Sequence, residues 1–148
     1  MDNNAVDTNS AQYVVVDLGM EHYGIDISYV DNIIRMQKIT RVPKAQNYYN
    51  GVINLRGEIV PVMSLRKKFE LDDDVFTDKS RIIILKPENE LIGIIVDSVK
   101  EVVVLSDDDK EKVNNDGKAD HNKYISDVGK METGLVSLLN INAIMTEE

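Results

Sequence analysis

Residues 13–33 read YVVVDLGMEHYGIDISYVDNI, and residues 82–102 read IIILKPENELIGIIVDSVKEV. Laid over one another at an offset of 69 positions, without a gap, they share Glu21/Glu90, Gly24/Gly93, Ile25/Ile94 and Val30/Val99. The apolar pattern repeats more fully than the identities do. Positions 13–16 fall on 82–85, and Tyr23, Ile27 and Ile33 fall on Ile92, Val96 and Val102. A second offset, 76, lays Ile59–Leu65 (IVPVMSL) over Leu135–Ile141 (LVSLLNI), the seven extra residues falling in the acidic stretch 106–122. Two internal matches in the same order imply two related lobes of about 65–70 residues each. The expected division is a disordered tail over 1–12, then one domain over 13–146. Lobe one would span about 13–70, lobe two about 80–140, and a short C-terminal helix about 140–146.

The composition says what kind of lobes these are. Val (18) and Ile (16) together outnumber Leu (10) by 34 to 10. β-branched side chains favour strands over helices. Strands are expected near 13–18, 22–27, 38–42, 52–55 and 58–64, then near 81–86, 91–97, 99–105, 123–129 and 134–139. Ser28 would cap a short helical turn through Arg35, placing Val30, Ile33 and Ile34 on one side. Val30 and Ile33 pointing outward as a docking stripe is the alternative. Gly57 supplies positive φ in the Asn54-Leu55-Arg56-Gly57 turn. Pro61 has no N–H for a ladder, so its strand should be an edge or carry a bulge. Residues 70–78 (ELDDDVFTD) read as an acidic linker.

Charge and rare residues exclude several chemistries. The net charge is −9, and an acidic chain is repelled by nucleic-acid phosphates. There is no Cys, hence no disulfide, thiolate metal site or Cys nucleophile. His22 and His121 are the only histidines and lie in no zinc-binding spacing. With Gly117 at the sixth position of a calcium loop, Lys112 and Lys123 would occupy positions one and twelve, both wrong for Ca²⁺. Ser64 and Ser137 have no histidine placed beside them by any motif. No apolar run reaches the ~18 residues of a membrane span, and the acidic N-terminus is no signal peptide. The expectation is a cytoplasmic protein with no metal and no cofactor. A hydrolase using carboxylates is the minor alternative to a binding module.

The charge is blocked: residues 1–31 carry −6, residues 32–69 carry +7 and residues 70–148 carry −10. Either the blocks face one another in the fold, or the basic middle meets a partner of opposite sign. Arg56 stands at the centre of that block, in a turn between two apolar runs. It is either a solvated turn residue or a fork-shaped donor presented to a partner's carboxylate or carbonyl.

GVINLRGEIVPVMSLRKKF (51–69), YGIDISYVDNI (23–33) and IGIIVDSV (92–99) together resemble the signature segments of the CheW family. Its domain also occurs in the histidine kinase CheA and in CheV. The resemblance covers about residues 13–145. It implies a mainly β fold of two five-stranded SH3-like barrel lobes with short helices. It implies a non-catalytic adaptor that couples the cytoplasmic tips of methyl-accepting chemoreceptors to CheA, or to the kinase of another chemosensory pathway. Positions matching the family's receptor contacts, in a groove between the lobes, are Val30, Ile33, Gly51, Arg56, Gly57, Val96 and Val99. Kinase contacts would fall near Val42, Pro43, Tyr48 and Tyr49. Asn32 and Ser64 depart from the family pattern, which favours acidic residues at both places.

Overall fold

A computed structural model describes residues 10–113 and 123–146. The chain belongs to two compact units, each drawn from both halves of the sequence. Unit 1 comprises residues up to 16, 21–28 and from 100 onward; unit 2 comprises 17–20 and 29–99.

The first half supplies β1 (Ala11–Leu18), β2 (Glu21–Asp26), β3 (Val30–Arg35), β4 (Tyr49–Leu55), β5 (Glu58–Ser64) and α1 (Leu65–Lys68). The second supplies β6 (Arg81–Leu85), β7 (Ile92–Val96), β8 (Ser98–Leu105), β9 (Lys110–Lys112), β10 (Ile125–Met131), β11 (Gly134–Leu139) and α2 (Ile141–Thr146). One sheet has the order β8-β1-β2-β11-β10-β9 and the other β3-β6-β7-β5-β4. Each half therefore lends its first hairpin to the sheet built mainly from the other half. The division into consecutive lobes at 70–80 is corrected by this exchange. A repeat shows which segments are equivalent, but not which of them pair.

The equivalence itself holds to the residue. At an offset of 76, β4 lies on β10, β5 starts where β11 does and runs one residue longer, and α1 starts where α2 does. Both hairpins carry a register shift at matching places, Tyr49/Gly51 and Ile125/Asp127. Ser64 caps α1 by accepting from the Lys67 N–H at 3.1 Å, and Asn140 accepts from the Ala143 N–H at 3.1 Å. Both caps satisfy donors that the first helical turn leaves open.

The two sheets are completed by parallel pairs at the repeated glycines. Gly24 stands opposite Leu138 on β11, and Gly93 opposite Val62 on β5. A Cβ on Gly24 would lie 2.7 Å from the Leu138 side chain, and one on Gly93 2.8 Å from that of Ile82. In unit 2 the core gathers Ile53, Val60, Val62, Ile82, Ile84 and Ile95. In unit 1 it gathers Tyr13, Val15, Leu105, Val136 and Leu138. The apolar runs 13–16 and 82–85 are buried on both faces, which is why they lack alternation.

Three local expectations are corrected. Residues 30–35 form a strand, with only Ile27–Tyr29 as a 3₁₀ turn. Asp31, Ile33 and Arg35 are exposed while Asn32 and Ile34 are less so, the period of two replacing the helical stripe. The strand expected at 38–42 is reduced to a bridge between Thr40 and Val52. Five residues after β3 leaves one edge of its sheet, Thr40 pairs at the other edge, so the sheet curls into a barrel. Finally, β5 is an inner strand despite Pro61. Val52, opposite Pro61, turns both its N–H and its C=O to Thr40 at 2.8 Å. Pro61 thus sits where the β4 ladder asks nothing of it, and pairing with β7 begins only at Val62. The expected tail over 1–12 lies largely outside the described residues, β1 beginning at Ala11. The rejected calcium loop around Gly117 also lies outside them.

Gly93→Ala forces the Ile82 side chain aside and should cost about 1–3 kcal/mol, read from the urea midpoint. Gly51→Ala should cost more. Its Cβ would lie 2.1 Å from the Thr40 carbonyl oxygen, at a φ of +140°, and backbone cannot step aside as a side chain does.

Candidate functional site: one face of unit 2

Every residue expected at a partner contact belongs to unit 2. The β4–β5 hairpin presents Arg56 and Gly57 at its tip, with φ of 52° and 85°. Two central residues at positive φ are the pattern of a type I′ turn, whose twist matches the flanking strands. The Gly57 N–H donates to Asn54 Oδ1 at 2.9 Å, closing the turn. For Arg56, holding the left-handed region costs about 1–2 kcal/mol relative to glycine. A residue kept there against its preference invites a functional reading. Its side chain is 67 % exposed and reaches Asp31 on β3 at 3.8 Å, a loose surface pair.

Asp31 and Ile33 lie two apart on β3, so they share its outward face with Arg35. Ile33 is 38 % exposed. The Asn32 Oδ1 accepts from the Ile33 N–H at 2.9 Å and so acts on the backbone of β3. The structure thus brings the Arg56–Gly57 turn to Asp31, on the strand face that also exposes Ile33. Val30 is half-buried at the start of the same strand. Val99 is half-buried beside a cavity of about 500 Å³ that Asp17, Lys79, Arg81 and Ser98 also line. Two of the expected residues have no side chain to offer. Val96 is wholly buried in β7, and Gly51 is buried where the backbone requires glycine.

The residues expected at the kinase face gather around a second cavity, of about 710 Å³. Val42, Pro43 and Tyr49 line it; Tyr48 does not, standing instead 4.9 Å from Tyr49 between ring centres. The Lys68 ammonium lies 3.9 Å from the centre of the Tyr48 ring, a cation–π contact that buries the lysine. Motif reading missed Phe76 and Lys67, which also line this cavity. The signal for Phe76 was an aromatic residue inside an acidic linker.

Arg66 ties this face to the sheet. It binds Asp97 in bidentate fashion, Nε to Oδ1 at 3.0 Å and Nη2 to Oδ2 at 2.6 Å. Asp97 also accepts from the Gly19 N–H at 2.7 Å. The Arg66 hydrogen bonds hold the Asp97 carboxyl below the usual carboxylate range, ahead of the opposing effect of burial. Among the described residues no group of three or more His, Asp or Glu could hold a metal ion, and no helix is long and apolar enough to cross a membrane.

The face thus presents exposed apolar and cationic side chains on paired strands. The CheW-like domain model matches residues 12–148. The chain is 33 % identical over 135 residues to the chemotaxis protein CheW of Bacillus subtilis (strain 168), covering 91 % of this chain and 86 % of that one. It is 30 % identical to the CheW of Treponema pallidum (strain Nichols), covering 97 % and 87 %. The crystal structure of the scaffolding protein TtCheW from Thermoanaerobacter tengcongensis superposes with a TM-score of 0.81 at 30 % identity, over 88 % of each chain. The chain belongs to the CheW-like domain family. It is a scaffold of chemotaxis signalling, on the mainly β, SH3-like fold expected.

The Asp97 contribution to stability follows from its lowered pKa. It is fully present above the ordinary carboxylate range and is lost as pH falls through the lowered value. Asp97→Asn should therefore be less stable than wild type at neutral pH, with the gap in urea midpoint closing as the pH is taken below about 4.

Proposed function

We propose that this chain couples methyl-accepting chemoreceptors to the histidine kinase CheA. It works in the cytoplasm, recruited to membrane-associated receptor arrays, and has no catalytic step of its own. The observation that carries this reading is Arg56, held at positive φ on a hairpin tip, two-thirds exposed and reaching Asp31, two residues from the exposed Ile33 on β3. A strained, exposed guanidinium reaching a strand that exposes an apolar side chain suits a helical tip that offers apolar side chains and carbonyl or carboxylate oxygens. Val30 supports that contact from the edge of β3. Gly57 lets the turn form, while Gly51 and Val96 act by shaping the strands beneath it. Val99 stands at the start of the next exposed strand.

The cavity at Val42, Pro43 and Tyr49 supports the second contact, with the kinase's regulatory domain. Tyr48 backs it through Tyr49 and Lys68. Two contacts on one chain suffice for a scaffold, and they transmit a signal when their strength differs between signalling states. Weak contacts suffice where many copies are arrayed.

The test is paired binding of the full chain to a receptor cytoplasmic fragment and to the CheA regulatory domain. Arg56→Ala should weaken receptor binding about 10- to 100-fold, as expected for a hydrogen bond to a charged group. Arg56→Gly separates this from folding. It relieves the positive-φ strain and should raise the urea midpoint while binding is still lost. Ile33→Asp should abolish receptor binding and leave kinase binding unchanged. A wild-type chain that binds neither partner would sink the proposal.

A further inference from the structure

The linker between α1 and β6 shows three exposed apolar side chains, Leu71 at 40 %, Val75 at 76 % and Phe76 at 51 %. The segment that carries them is nonetheless pinned. Glu70 turns into the left-handed region at φ 61°, and its N–H donates to the Lys67 carbonyl at 3.1 Å. The Leu71 N–H donates to the Arg66 carbonyl at 2.8 Å. Arg66 Nη1 then donates to the Asp72 carbonyl at 3.2 Å. Last, the hydroxyl of Ser64, fully buried, donates to Asp74 Oδ2 at 2.5 Å.

The Ser64–Asp74 bond is the unexpected member. Ser64 already caps α1, so its hydroxyl accepts from one backbone donor and hands its own proton to a side chain ten residues on. The other Asp74 oxygen is buried with no hydrogen-bond partner. Burial pushes the Asp74 carboxyl up. A carboxyl taken partly out of water is a cost that the linker bears in order to be held here. Two residues further on, Phe76 forms part of the wall of the 710 Å³ cavity, which Val42 and Pro43 also line. Arg41, Lys44 and Lys67 line the same cavity, and among the described residues no carboxylate does.

We propose that residues 72–76 are a strap, latched by Asp74 on Ser64, that sets Phe76 as an aromatic wall of this cavity. Its occupant is an acidic partner segment carrying a large apolar side chain. The apolar side chain packs between Phe76 and Val42–Pro43, and the acidic groups meet Arg41, Lys44 and Lys67. This rests on the reading of the cavity as the kinase-facing contact and adds the partner's chemistry and the device that shapes the pocket.

The experiment measures titration-calorimetric affinity of the full chain for the CheA regulatory domain and for a receptor fragment. Amide exchange across 70–78 is followed in the chain alone. Phe76→Ser should weaken kinase-domain binding about tenfold, as for an aromatic anchor, and leave receptor binding unchanged. Lys44→Glu should weaken it too, most at low ionic strength. Asp74→Ala keeps the α1 cap and should speed exchange over 72–76 while reducing kinase-domain affinity. If wild type binds the kinase domain and Phe76→Ser and Asp74→Ala bind equally well, the strap is refuted and the coupling function stands. Unchanged exchange in Asp74→Ala refutes the latch without reference to any partner. If wild type binds the receptor fragment but not the kinase domain, the kinase-facing reading falls and this proposal with it.

Discussion

Among the strand glycines whose side chain must be a hydrogen atom, two stand at matching places in the repeat. Gly24 and Gly93 each sit where a β-carbon would press into a neighbouring side chain at less than 3 Å. These are also the points where each sheet forms its parallel pair, β2 with β11 and β7 with β5. Parallel pairing joins strands far apart in the chain and gains little until long loops have closed. Close approach at glycine allows the flanking Val and Ile side chains to pack and offset that cost. A side chain there would hold the strands apart, and the exchanged hairpins would lose their inner seam.

Exchange of hairpins also explains how small contacts become stiff ones. β3, which carries Ile33 and Asp31, is paired along its length with β6 of the other half. The β4–β5 hairpin, which carries Arg56, is paired through β5 with β7. Arg66 binds Asp97, beyond the end of β7, and Asp97 holds the turn at Gly19. Residues spread from 19 to 97 thus behave as one support for a short exposed surface. A scaffold needs such support, because side chains already ordered lose less freedom on binding.

Much of this was legible from the chain alone, for identifiable reasons. β-branched runs, Gly57 in its turn and the two offsets all depend on local chemistry, and each hairpin is found within a few residues of its expected place. Choices among partners were not legible. The segment Val30-Asp31-Asn32-Ile33-Ile34 fits a helical stripe and an alternating strand equally well, and only the presence of β6 beside it decides. Pro61 argues for an edge by local rules, yet it sits at a position where neither neighbour asks for its N–H. Of the surface residues, Arg56 and Ile33 could be found by motif. Val96 could not be separated from them, because an inward and an outward valine look alike in an apolar run. Phe76 belonged to no motif; its relevance comes from where the Ser64–Asp74 bond carries the linker.

The charge blocks are the remaining case, and the structure divides them. Some cations of the basic stretch 32–69 meet acids of the flanking blocks, as Arg66 meets Asp97 and Arg56 reaches Asp31. Lys68 is buried against Tyr48. Those three are bound up with the fold to different degrees: Arg66 firmly, Lys68 by packing, Arg56 hardly at all. Arg41, Lys44 and Lys67 differ in kind, since they line a cavity to which no carboxylate among the described residues contributes. Like charges gathered around a concave, partly apolar surface raise its potential and lower the affinity for any partner of the same sign. A chain with net charge −9 would repel most acidic partners at long range, yet accept one that presents its acids to this place alone. The overall acidity and the local basicity therefore act together, the first against indiscriminate docking and the second for a particular orientation.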